Sequence, residues 1–278
     1  MTKKQISDQT RDLQGLKSLV ETYEEVAALR MQAIRKQVLQ ARDFLDGVSG
    51  VFADAKSNVE KGVDLTTIST LNRNGRSVAV FASANAGLYG DIINKTYELF
   101  LEFVQKRQAD AVVIGKLGVK MVSERNPELL YNYFDFSDAG LDMSNLNMIM
   151  RYLLQFEKIY VFHGKYRSLV LQDPVVTSIS GDEATTGLQT SEKNLYLFEP
   201  GIAEVLKMFE QEIMTTLFQQ SMHEGQLAKF ASRLFHLDSA SESIDNSLGK
   251  LRITARKVAH NMNARKQLNT ISGVSLWA

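Results

Sequence analysis

The sequence predicts an α/β protein: a long antiparallel coiled coil built from the N- and C-terminal helices, plus an α/β domain between them. Three observations carry that prediction. The only prolines are Pro127, Pro174 and Pro200, so residues 1–126 and 201–278 lack the residue that costs a helix interior about 3 kcal/mol. Apolar side chains at both ends recur with a period of about 3.5 residues. The middle instead holds short, β-branched apolar runs separated by helical spacing, as in a βαβ unit.

Taken in order, residues 1–58 form the first helix. Its stripe runs Leu13, Leu16, Val20, Tyr23, Ala27, Met31, Ile34, Val38, Ala41, Leu45, Val48 and Phe52, in alternating steps of three and four with one extra four. Residues 59–75 read as a connector. The α/β domain spans 76–199. SVAVFAS (77–83) and ADAVVIG (109–115) read as buried parallel strands, with a helix between them. LLYNYFDFS (129–137) reads as a third strand, followed by a helix capped near Asp142 or Ser144. KIYVFH, YRSLVLQD, PVVTSIS and NLYLFE read as further strands, some paired as hairpins. Residues 200–278 form the last helix, with Pro200 in its first turn. Its stripe runs through Ile202, Leu206, Phe209, Ile213 and Leu217, then Phe230, Leu234, Leu237, Ser241, Ile244, Leu248, Leu251, Ala255, Val258, Met262 and Arg265. Gly225 and Gly249 are weak points, each costing about 1 kcal/mol against Ala. Two stripes of matching period at opposite ends of the chain cover each other.

Composition excludes several chemistries. Lys+Arg and Asp+Glu both total 32 among 278 residues, so no global field draws the chain to nucleic acid. There is no cysteine, hence no disulfide, thiolate metal site or thiol nucleophile. The first residues, MTKKQISDQTRD, are too polar for a signal peptide, and no apolar run approaches the roughly 18 residues of a membrane span. Those features read as a bacterial-type cytoplasmic protein. The turn FASANAGLYGD (81–91) places Gly87 and Gly90 where a strand becomes a helix, a position at which many proteins cradle phosphate. Yet neither GxxxxGK[ST] nor GxGxxG occurs, so the pair reads as a structural turn with close backbone packing. His223 and Glu224 begin an HExxH-like string, but Leu227 stands where its second histidine belongs. No catalytic residue, metal ligand or cofactor is expected. One asymmetry stands out: Lys250, Arg252, Arg256, Lys257, Arg265 and Lys266 are followed by no Asp or Glu. It reads as a solvated face, as a surface for acidic protein loops or, third in order, as one for nucleic acid.

Several short strings, in order along the chain, resemble the gamma subunit of F-type ATP synthases. Val26-Ala27-Ala28-Leu29-Arg30 resembles the family's VAAxK, with Arg for Lys and with Tyr23 in place of the preceding Met. Ser83 through Gly90 resembles SDRGLCGG with one extra residue, Asn85 and Ala86 standing for its Asp and Arg. Val113 to Gly118 is similar to IGxKG, Gln172-Asp173-Pro174 to QxP, and Phe198-Glu199-Pro200 to YEP. Ala231-Ser232-Arg233-Leu234 with His236-Leu237 resembles AARMxAM, and Asn263-Ala264-Arg265 the NxxR segment. The chain departs from the family in having no acid after Lys250.

The resemblance implies a divergent, bacterial-type gamma subunit, with a Rossmann-like domain that packs against a shaft and binds no nucleotide. It implies a central rotor stalk coupling ion flow through the membrane ring to ATP synthesis or hydrolysis in the alpha/beta hexamer. The implied partners are the alpha, beta and epsilon subunits and the membrane c-ring, with no nucleic acid. The implied place is the cytoplasmic face of the cell membrane, held peripherally with no transmembrane segment. Arg30, Arg233, Arg252, Arg256 and Lys257 become the candidates for contact with partner subunits. Two other readings stand beside it. One is a coiled-coil scaffold with an α/β head unrelated to ATP synthesis; the other is an α/β enzyme using the Gly87–Gly90 turn.

Overall fold

The computed structural model describes residues 2–57, 73–138, 143–179, 199 and 201–274. In chain order the elements are α1 (Lys3–Ser57), β1 (Ser77–Ala82), α2 (Ile92–Arg107), β2 (Asp110–Ile114), α3 (Lys116–Arg125), β3 (Tyr131–Phe134), α4 (Met143–Leu153), β4 (Lys158–Tyr166), β5 (Gln172–Ser178) and α5 (Ile202–Val274). Two compact units result: Met1–Ala27 with Leu234–Ala278, and Ala28–Arg233.

In the first unit, α1 and α5 lay their apolar stripes together. Val20, Leu237, Ile244 and Leu248 form its buried cluster, with Leu13 and Ala240 packed beside it. Lys17 Nζ bridges to Asp245 at 2.6 Å on the rim. The contact is narrower than the sequence stripe. Leu16 and Tyr23, both expected inside, are 47% and 45% exposed. Two helices alone cover a thin seam, and here the buried positions of α1 fall at Ile6, Val20 and Ala27, with half-buried Leu13 between. Met262 and Arg265, at the far end of the expected α5 stripe, are likewise exposed.

In the second unit, five strands lie in the order β3-β2-β1-β4-β5. The first four are mutually parallel, and β5 returns antiparallel to β4. Residue alternation sorts the two faces. Val78, Val80, Val112, Ile114, Ile159 and Val161 point to one side, where α4 supplies Leu146, Ile149, Met150 and Leu153, and α5 supplies Met214, Phe218 and Met222. On the other side Phe81 stacks on Phe100 of α2 at 5.4 Å, and Phe100 meets Phe162 edge-on at 5.7 Å. Helices on both faces of a mainly parallel sheet give the expected Rossmann-like α/β domain.

Local readings needed correction. YRSLVLQD is not a strand: β4 runs on to Tyr166, and the amides of Arg167 and Ser168 both reach the Leu171 carbonyl, closing a hairpin before Gln172. Of LLYNYFDFS only Tyr131–Phe134 is strand. Helix α3 was not foreseen, although Gly118, Met121 and Val122 bury at helical spacing. Ser144 lies inside the first turn of α4. The connector 59–72, the cap candidate Asp142, residues 194–198 of NLYLFE and the first-turn Pro200 lie outside the described residues.

Candidate functional site

In an open parallel sheet, ligands bind outside the carboxyl ends of the strands, where the strand order reverses. In the second unit that point lies between β1 and β4, which pair directly while their connections lead to opposite sides. The crevice is filled by α5. A Cβ on Gly225 would come within 3.3 Å of His163, and one on Gly164 within 3.0 Å of the Ala228 Cβ. Gly225, weak on propensity grounds, is thus a contact point between α5 and β4. Residues 225–232 are buried without a break, on every face of the helix.

Polar groups on this stretch of α5 meet the turn after β1. Lys229, only 5% exposed, donates from Nζ to the Ser83 carbonyl at 2.7 Å. The same Nζ lies 3.6 Å from Oδ1 of Asp138. Burial pulls the Lys229 ammonium below its usual range, and Asp138 acts against that pull. The other carboxylate oxygen of Asp138 accepts the backbone N–H of Asn85 at 2.8 Å and of Ala86 at 2.9 Å. Tyr89 approaches it with its hydroxyl at 3.4 Å. Burial first, then the Asp138 charge, push the Tyr89 phenol up to about 12.

Asn85 ties the turn to its neighbours. Its Oδ1 accepts the Lys116 amide at 2.8 Å, and its Nδ2 donates to Asp135 at 3.0 Å and to the Phe136 carbonyl at 2.8 Å. The side-chain amide offers both a donor and an acceptor there, whereas an ionised Asp would only accept and would face Asp135 with like charge.

Gly87 and Gly90 both belong to this turn. A Cβ on Gly87 would meet nothing within 4 Å, so the expected close packing is absent there. It occurs instead at Gly118, where a Cβ would meet the Val113 Cγ1 at 2.7 Å. The backbone requirement falls on Gly90, with φ of 61°, and on Leu88, with φ of 67° and a side chain 65% exposed.

The sequence-derived cations divide into two groups. Arg233 lies over the Tyr89 ring, its guanidinium carbon 4.3 Å from the centroid, and donates to the Gly87 carbonyl. Arg30 is exposed on α1, and its charge bears on the Tyr89 hydroxyl. In the first unit, Arg252, Arg256 and Lys257 are exposed on α5. Arg256 borders a groove of about 570 Å³ together with Lys3, Ile6, Arg11 and Val258. Among the described residues, no carboxylate lines that groove. Asn85 was named from sequence only as the replacement for the family's Asp, and Lys229 and Asp138 were not singled out at all. A lysine among mostly apolar and small residues of α5, with Gln226 the other long polar side chain, was the signal available.

Among the described residues, no group of three or more His, Asp or Glu could hold a metal ion. No described helix is long and apolar enough to cross a membrane.

A family model described as ATP synthase matches residues 2–261. Relatives named ATP synthase gamma chain include one from Protochlamydia amoebophila, 20% identical over 283 residues and 97% of each chain. Another, from Elusimicrobium minutum, is 23% identical over 281 residues and 92% of each chain. Among solved structures, a chain from the central stalk/c-ring of the Tetrahymena thermophila mitochondrial ATP synthase is similar with a TM-score of 0.57 and 13% identity, covering 80% of this chain and 99% of its own. A chain from the Euglena gracilis mitochondrial ATP synthase gives a TM-score of 0.56 and 9% identity, covering 97% and 94%.

Proposed function

The chain belongs to the ATP synthase gamma-chain family, and on that premise we propose that it is the central rotor stalk of an F-type ATP synthase. The observation that carries this reading is the family match along residues 2–261, which takes in α1, the sheet and most of α5 in one pass. The filled crevice supports it: the domain that would hold a nucleotide holds α5 instead. The chain then performs no catalysis itself. ATP chemistry belongs to the alpha/beta hexamer, and this subunit converts rotation of the membrane c-ring into changes in that hexamer, with the epsilon subunit at its side. It sits peripherally on the cytoplasmic face of the cell membrane.

The mechanism is mechanical. A shaft biases a beta subunit only through contacts that differ between that subunit's states, since equal contact shifts no equilibrium. Arg252, Arg256 and Lys257 supply charge for such contacts; they are exposed and have no ion pair with any described residue. Arg30 joins them as a candidate on α1. Arg233 serves differently: stacked on Tyr89, it fastens α5 to the turn.

The test is reconstitution with the alpha, beta and epsilon subunits and the c-ring. Wild-type chain is expected to co-purify with alpha and beta in excess over itself. The triple variant Arg252→Glu, Arg256→Glu, Lys257→Glu should assemble, yet lose ATP-driven ion pumping several-fold. Unchanged pumping would remove the contact role. Failure of the wild-type chain to bring alpha and beta along would remove the stalk reading.

A further inference from the structure

We propose that the turn after β1 is an oxyanion-binding nest which the chain seals with its own carboxylate, and that a small oxyanion takes the place of Asp138 when that side chain is removed. The proposal is independent of the stalk reading. Among the described residues, each group that meets the Asp138 carboxylate is a donor: two consecutive amides at 2.8 and 2.9 Å, the Tyr89 hydroxyl at 3.4 Å and the Lys229 ammonium at 3.6 Å. Successive backbone amides beside a cation form the concave donor set by which loops hold phosphate or carboxylate. The nest also lies at the carboxyl end of β1, on the crevice where sheets of this order hold anionic ligands.

Size fixes the ligand class. The donors converge on a single carboxylate, that of Asp138, so the nest is sized for one such group. The ligand is therefore a small carboxylate or a tetrahedral oxyanion, held by the two amides and paired with Lys229. In the wild-type chain Asp138 is that ligand, supplied intramolecularly. Its removal strands the buried Lys229 ammonium and frees two amide donors, and the loss at the ammonium is costly unless an anion returns.

The test is chemical rescue of full-length Asp138→Ala, followed by thermal unfolding in chloride, acetate and inorganic phosphate at equal ionic strength. The variant should unfold earlier than wild type in chloride. Acetate or phosphate should restore it saturably, with about a tenfold gain in the folding equilibrium at ten times the dissociation constant. Wild type should show only the general salt response, and Asp138→Ala with Lys229→Met should lose the specific one. Recovery in acetate alone identifies a carboxylate-sized nest, and recovery in phosphate a tetrahedral one. Should the variant be unfolded in chloride, the return of folded signal on adding either anion is the same readout. A response no larger than that of wild type, or equal in the double variant, overturns the proposal.

Discussion

Lys229 sits where water cannot compensate it, so its value to the fold depends on Asp138 and the Ser83 carbonyl. Removing one partner of a buried pair is far more damaging than replacing both. Lys229→Met should destabilise the protein by about 3 kcal/mol, and adding Asp138→Asn should recover part of that loss in urea unfolding. His163 gives a second prediction. The Gly164 carbonyl can only accept, so Nδ1 carries the proton at 3.0 Å, and Nε2 accepts the Thr177 hydroxyl at 2.8 Å. Burial depresses the imidazole below its ordinary value, against the pull of Glu224, and His223 is depressed by burial as well. The unfolded chain therefore takes these protons first. The stability the two neutral rings confer is complete above about 6.5 and is lost as pH falls through their folded values. Unfolding free energy should drop between pH 7 and pH 5, by at most about 1.4 kcal/mol per unit for each ring. In His163→Asn the drop should be smaller.

The helices show what periodicity can and cannot tell. An apolar repeat marks which stripe of a helix is greasy, and so the paired end helices were legible. It does not say how wide the covering partner is. Leu16 and Tyr23 share the repeat of Val20, but one neighbouring helix covers only part of the stripe. The strands of the sheet were legible because buried parallel strands are continuous apolar runs. Helix α3 escaped notice because it is short, and its Gly118 reads as a breaker until the close approach to Val113 is seen. The clasp at Asp138 was invisible for another reason: its partners are 52 and 91 residues away in sequence, counting from Ala86 and Lys229, and no local pattern connects them. Within the seam, Ile244→Asn should cost about 2 kcal/mol, by exposing a cavity and an amide where Val20 and Leu248 now pack. Hydrogen exchange should show protection falling across residues 237–251, while amides in β1 stay protected. In assembled complex the same change should loosen coupling between hydrolysis and pumping.

The sheet of the second unit is completed by parts from far along the chain. One of its two faces is closed by Met214, Phe218 and Met222, and the bond from Lys229 to Ser83 spans 146 positions. A ribosome delivers β1 long before it delivers these residues. At 5–20 residues per second, the stretch from the end of β1 at Ala82 to Met222 takes roughly 7 to 28 seconds to emerge. Once Val161 has been made, the nascent sheet has α4 beside Val80, Val112 and Val161 but nothing from α5 over them until Met222 arrives. The protein therefore matures late and at once, when its last helix arrives. A premature stop before Met214 leaves a product whose sheet lacks all three α5 side chains of this core.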